Sequence, residues 1–192
     1  MHHTIRLSQM RIGVDLDGVV ADFTHGWTSQ YKKDFGKEIL EKDITEWGLS
    51  KPLTHFEEEI DFWNWAKDFN GSSIFRNLKT YDNAVEVLVE LSMEGHEIVI
   101  LSSKPWWSIH DTLIWLGENK IPTKEIHFIE DKWNISCDVY IDDAPHQLEN
   151  FVKHVPEKLI LRFVRPYNRP VSGTKDLNDW MELSSLLESY NL

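Results

Sequence analysis

The run Ile98-Val99-Ile100-Leu101 is apolar at every position and ends abruptly in Ser102-Ser103. A strand with one wet face alternates apolar and polar residues, so an unbroken run predicts a strand buried on both faces, as in a parallel sheet covered by helices. Arg11 to Leu16, Ile126 to Ile129, Val139-Tyr140-Ile141 and Leu159 to Phe163 have the same short, bounded character. Helical spacing fills the gaps between them. Ala84, Val87, Leu88 and Leu91 mark one apolar face closed by Gly95, and Ile109, Leu113 and Leu116 mark another. Gln147 to Lys153 continues the pattern, and Trp180, Leu183, Leu187 and Tyr190 finish it. Strands alternating with helices predict an α/β fold, a parallel sheet flanked by helices on both faces.

The stretch from Phe23 to Phe75 has another texture, aromatic and scattered with charge. Trp27, Tyr31 and Phe35 recur on one helix face, as do Phe62, Trp65 and Phe69, and Asn70-Gly71-Ser72-Ser73 reads as an exit turn. We therefore expect one domain over residues 11–192 with a helical insertion at about 23–75, preceded by a tail over residues 1–10. The tail is too polar for a signal peptide, Met10 could serve as an alternative start, and His2-His3 is too short to read as a metal site. Nine Trp and nine Phe in 192 residues require a folded core.

A formal net charge of −12 argues against long nucleic acids and anionic membranes as partners, while leaving room for a small anion in a local basic pocket. No apolar run approaches the roughly eighteen residues that a membrane span needs. Cys137 is the sole cysteine, which excludes an internal disulfide and fits a reducing compartment, with cytoplasm as the expectation.

In open α/β sheets ligands bind at the carboxyl ends of the strands, and here those ends are polar. Asp15 and Asp17 stand two apart, so an extended strand turns both to one side, and Gly18 allows a sharp turn behind them. Asp-x-Asp alone is also compatible with a turn and a capping acid. Ser102 and Ser103 end the second apolar run, Asp142 and Asp143 end another, and Lys132 follows the strand near Ile129. Phosphoryl transfer needs a nucleophile, a proton donor, phosphate-holding groups and a neutralising cation. Asp15 can attack, Asp17 can manage protons, Ser102 can hold a phosphate oxygen and Lys132 can supply fixed charge. Crowded Asp15, Asp142 and Asp143 require a cation, and all-oxygen ligation beside phosphate favours Mg²⁺. Asp22 reads as a helix cap, and Lys104 has no comparable support.

The string Asp15-Leu16-Asp17-Gly18-Val19-Val20-Ala21-Asp22-Phe23 resembles the first motif of the haloacid dehalogenase superfamily of phosphohydrolases. Ile98 to Ser103 resembles its second motif. Asp131 to Asp143 resembles the third and fourth as they occur, closely spaced, in the cytosolic and mitochondrial 5'(3')-deoxyribonucleotidases. The motifs stand in family order from about Arg11 to at least Asp143, and Arg165-Pro166-Tyr167-Asn168-Arg169 is similar to bacterial and phage relatives. The resemblance implies a HAD-like sheet with a small helical cap after the first strand. It implies Asp15 as nucleophile, Asp17 as general acid/base, Ser102 as phosphate binder and Lys132 as the bridge between phosphate and nucleophile. Mg²⁺ would rest on Asp15, the backbone carbonyl of Asp17, and Asp143, with Asp142 behind them or in place of one.

The implied partner is a small phosphomonoester, a nucleotide, with deoxyribonucleotides favoured by the family. A sugar phosphate, a nucleic-acid 3'-phosphate and a non-catalytic nucleotide-binding role stay open as alternatives, and so does a homodimer. Ser103, Phe23 and Trp27 are the expected substrate contacts. Trp47, Phe62, Trp63 and Trp65 can stack on a base, although packing inside the cap is the more ordinary role for most of them. Arg165 and Arg169 can bind an acidic substrate group or form salt bridges within this acidic protein.

Overall fold

Strand β1 (Arg11–Val14) lies at the centre of the molecule, hydrogen-bonded in parallel to β2 (Glu97–Ser102) on one side and β4 (Val139–Asp142) on the other. The computed structural model describes residues 9–48, 53–69 and 71–190, so residues 1–8 of the tail expected over 1–10, and Asn70 of the exit turn, lie outside the described residues. With β3 (Glu125–Phe128), β5 (Leu159–Phe163) and β6 (Lys175–Leu177) the sheet has six strands in the order β3-β2-β1-β4-β5-β6, and every pairing is parallel.

The unbroken apolar runs have the physical meaning expected of them. Ile12, Val14, Ile98, Ile100, Val139 and Ile141 enter a core on one face, while Val99, Leu101, Tyr140 and Ile160 enter a second core with Leu148 and Phe151 on the other. Helices α3 (Ala84–Glu94), α4 (Ile109–Glu118), α5 (Pro145–His154) and α6 (Leu183–Tyr190) cover these faces. Gly95 ends α3 in the left-handed conformation that glycine adopts without a steric penalty. Among the described residues no helix is long and apolar enough to cross a membrane.

Two differences from the sequence reading have physical causes. The short β6 was not anticipated because Lys175 and Asp176 are exposed and only Leu177 is buried, leaving no apolar run. Its Asp176 pairs with Arg162, at 2.8 and 2.7 Å, which explains how a buried arginine sits within the apolar strand β5. Met10, counted above with the tail, is buried; its N–H donates to His96 Nδ1 and its carbonyl accepts from Glu97 N–H.

Helices α1 (Phe23–Phe35) and α2 (Glu59–Ala66) occupy the stretch after β1. Asp22 caps α1 by accepting the His25 N–H at 3.0 Å. Trp27 and Tyr31 are buried on α1, and Phe62 on α2 meets Trp27 edge-on, so aromatic contacts join the two helices. Phe35 is 44% exposed, and Phe69 lies beyond the end of α2.

Candidate active site

Chain connections leave β1 and β4 in opposite directions along the sheet, which opens a crevice at their carboxyl ends. Asp15 follows β1, Asp142 ends β4, and Asp143 comes next. The Asp15 N–H donates to the Ile141 carbonyl at 3.0 Å, so the backbone ladder itself sets the acids side by side. One oxygen from each of Asp15, Asp142 and Asp143 lies within 4.8 Å of the others.

Lys132, on a short turn after β3 (Lys132–Asn134), reaches this cluster with its ammonium. Its Nζ donates to Asp15 Oδ1 at 2.7 Å and to Asp142 Oδ2 at 2.6 Å, and all four residues are buried. Asp142 Oδ1 accepts the Ala144 N–H at 2.9 Å, just ahead of α5. Asp143 Oδ2 accepts the Tyr167 hydroxyl at 2.5 Å, whereas the buried Asp143 Oδ1 has no hydrogen-bond partner among the described residues. Three carboxylates thus face one lysine, with one acceptor left over.

The electrostatics follow from this crowding. Burial raises the Asp15 carboxyl to about 6; Lys132 pulls the other way and Asp142 adds to the rise. Burial, then Asp15 and Asp142, push Asp143 well above the ordinary carboxylate range, although the Tyr167 hydroxyl opposes this. Burial disfavours the charge on Lys132, but Asp142 and Asp15 outweigh it and hold the lysine above its usual value. A hard divalent cation fits these residues: the donors are all oxygen, the negative charge is in excess, and Asp143 Oδ1 is orphaned.

Asp17 and Gly18 stand at the start of a tight loop in which the Leu16 carbonyl accepts N–H groups from Val19, Val20 and Ala21. Gly18 has φ +82°, and a Cβ there would collide with the Asp143 carboxylate and the Tyr167 hydroxyl. Asp17 accepts from Lys104 Nζ at 2.7 Å, and the same ammonium lies 3.8 Å over the Phe75 ring. Burial raises the Asp17 carboxyl, with Lys104 opposing; burial likewise lowers Lys104, with Asp17 opposing. Sequence reasoning passed over Lys104. Its available signal was a lysine two places beyond Ser102, at the carboxyl end of β2, immediately before Pro105.

Asp15, Asp17, Lys104, Lys132 and Asp143 line one cavity of about 1000 Å³, mouth included, together with Ser102, Ser103, Phe23 and Trp27, while Asp142 lies behind its wall. Ser102 is buried on its floor and Ser103 is partly exposed beside it. Phe23 lies nearly parallel to Phe75 (12°) and to Trp63 (23°), forming an aromatic wall, and Glu59 accepts from Trp63 Nε1 at 3.0 Å. Trp27 also lines the cavity but is 3% exposed, gripped edge-on by Tyr31 and Phe62. Phe62 is core, whereas Trp47 lies at the cavity with its ring edge-on to Tyr167. Arg165 bonds the Gly18 carbonyl at 2.6 Å and stacks on Tyr81 and Phe163, so it serves the framework of the loop.

Residues 9–190 match the sequence profile of the family described as "5' nucleotidase, deoxy (Pyrimidine), cytosolic type C protein". The chain belongs to this family. It is accordingly a nucleotide phosphomonoester hydrolase by family. A 5'(3')-deoxyribonucleotidase of Bacillus subtilis is 26% identical over 183 residues, spanning 92% of this chain and 97% of its own. A protein of the same description from Clostridium acetobutylicum is 26% identical over 194 residues, with 95% and 97% covered. The fold matches a HAD family hydrolase from Deinococcus radiodurans, solved with bound phosphate and sodium, at a TM-score of 0.62 and 15% identity over 97% of this chain and 98% of that one. A predicted phosphatase from Clostridium acetobutylicum matches at a TM-score of 0.61 and 19% identity, with 94% and 100% covered. The family member described here therefore has the HAD-like α/β fold.

Proposed function

We propose that this family member hydrolyses nucleoside monophosphates, deoxyribonucleotides foremost, with Mg²⁺ and through an aspartyl-phosphate on Asp15. The observation that carries the reading is the convergence of Asp15, Asp142 and Asp143 around Lys132, with Asp143 Oδ1 unpartnered among the described residues, beside a cavity with aromatic walls. Asp15, Asp143 and the Asp17 carbonyl would hold the Mg²⁺, with Asp142 bound to Lys132 behind them. When bound, the cation neutralises phosphate oxygens and lets an anionic substrate enter an acidic pocket.

Asp15 attacks phosphorus through a carboxylate oxygen, forming an O–P bond as the bond to the sugar oxygen breaks. Asp17 gives its proton to that departing oxygen, and its burial-raised pKa favours the protonated form needed for this step. The resulting Asp17 carboxylate then takes a proton from water as the water attacks the aspartyl-phosphate. That attack breaks the Asp15–phosphate bond, releases inorganic phosphate and restores both acids. Ser102 donates its hydroxyl to a phosphate oxygen, Lys132 balances charge on Asp15 and the phosphate, and Ser103 lies beside the same oxygens. Phe23 and Trp63 offer a flat surface to the base, and Trp27, which lines the same cavity, is linked to Trp63 through Phe62.

A cytoplasmic setting, where nucleotides are plentiful, completes the reading. The test is inorganic phosphate release from a panel of nucleoside 5'- and 3'-monophosphates, sugar phosphates and a 3'-phosphorylated oligonucleotide, with and without Mg²⁺. Deoxyribonucleotides should be hydrolysed fastest and only with the metal. Equal rates across the panel would overturn the nucleotide assignment.

A further inference from the structure

The segment from Arg165 to Asn168 touches the site loops at three points. Arg165 Nε donates to the Gly18 carbonyl at 2.6 Å, Asn168 Nδ2 donates to the Asp143 carbonyl at 2.8 Å, and the Tyr167 hydroxyl donates to Asp143 Oδ2 at 2.5 Å. Asn168 Oδ1 in turn accepts the Arg165 N–H at 3.0 Å, closing the segment on itself. Asp143 is consequently held by its backbone and by one carboxylate oxygen. The other oxygen, buried Oδ1, has no partner among the described residues, and the Asp143 carboxylate is one of the three that cluster with Asp15 and Asp142.

A carboxylate free to rotate about its Cβ–Cγ bond would offer either oxygen to a cation and lose rotational entropy on binding. We propose that Tyr167 is a positioning residue that fixes the Asp143 carboxylate, occupying Oδ2 so that Oδ1 is turned in advance toward the divalent cation. Two further observations fit only a closely matched pair. Gly18 is the residue that leaves room, since a Cβ there would strike both the Asp143 carboxylate and the Tyr167 hydroxyl. Trp47, from the insertion, meets the Tyr167 ring edge-on at 5.6 Å between centroids, so the ring has a packing contact besides the hydroxyl's bond. Hydrogen bonds to a ligating carboxylate orient it and tune affinity for the metal.

This inference rests on the reading of Asp143 as a metal ligand, and calorimetric titration with Mg²⁺ and with Mn²⁺ separates the two. Wild type should bind one divalent ion per chain and Asp143→Asn should lose it; no binding by wild type would defeat the metal reading itself. Tyr167→Phe keeps the ring and should weaken affinity roughly ten- to hundredfold, with the circular dichroism spectrum of the folded protein unchanged. Its turnover should recover toward wild type at saturating Mg²⁺. Tyr167→Leu removes the ring as well and should weaken the metal by the same factor if the hydroxyl is responsible. Wild-type affinity in Tyr167→Phe, with wild type itself binding normally, would overturn the positioning role. So would a loss seen only in Tyr167→Leu.

Discussion

The carboxyl edge of the sheet and the helical insertion above it form opposite walls of one cavity, yet they are built on different physics. At the edge, buried Lys132 holds Asp15 and Asp142 at hydrogen-bond distance, Tyr167 holds Asp143, and the Asp15 N–H is tied to the Ile141 carbonyl as well. The insertion wall is apolar, its rings nearly parallel, and its main polar anchor is the Trp63–Glu59 bond. A charged, desolvated cluster tolerates no loss of a member, whereas an aromatic surface loses contact area gradually. On the proposed reading the edge carries the reaction and the insertion carries selection.

The largest effect should come from the edge. Lys132→Met leaves Asp15 and Asp142 buried without their cation, which should cost about 3–5 kcal/mol in urea unfolding without metal. Mg²⁺ should return part of that loss. Lys104→Met, on the same edge, should destabilise less, because its partner Asp17 keeps a 24% exposed side chain; equal losses from the two lysines would mean that burial of the partner acid does not set the cost. On the insertion, Trp63→Ala should raise KM about tenfold, the worth of one stacked base, with kcat nearly unchanged. A matched fall in kcat would place Trp63 in the reaction and break the division.

Acid should separate the site from the framework by sign. Asp15 has a folded pKa of about 6, above its unfolded value, so as pH falls through 6 this group stabilises the metal-free fold and competes with bound metal. Mg²⁺ affinity should weaken steadily below that point in titrations at successive pH values. His96 behaves oppositely: burial lowers its pKa, and its Nδ1 accepts the Met10 N–H. Its neutral form contributes stability above the unfolded value of about 6.5, and that contribution is lost as pH falls toward the folded value. His96→Asn, which keeps an acceptor without titrating, should flatten this smaller dependence in thermal melts.

The same contrast explains what could be read from the sequence. The apolar strands and the acids after them are local patterns, so Asp15, Asp17, Ser102, Lys132, Asp142 and Asp143 could be picked out and the sheet anticipated. The strand β6 lacked an apolar run because its function in the fold is to bring Asp176 to Arg162. Lys104 owes its place to Asp17, 87 residues earlier, and to the Phe75 ring, contacts that leave no local spacing to detect. Arg165 and Tyr167 were legible as a charged, proline-containing segment similar to that of relatives, without a partner for either; those partners, Gly18 and Asp143, come together through the sheet order. Among the insertion aromatics, spacing could assign helix faces, but only packing separates buried Phe62 from cavity-lining Trp63.

The central claim is that Asp15 is the attacking group, and Asp15→Asn tests it most directly. The substitution keeps the shape and removes the anionic oxygen, so the variant should fold, as judged by circular dichroism. With a deoxyribonucleoside monophosphate and saturating Mg²⁺ it should lose at least about a thousandfold in phosphate release, as expected when a nucleophile is removed. A folded Asp15→Asn protein that releases phosphate at the wild-type rate would contradict the account.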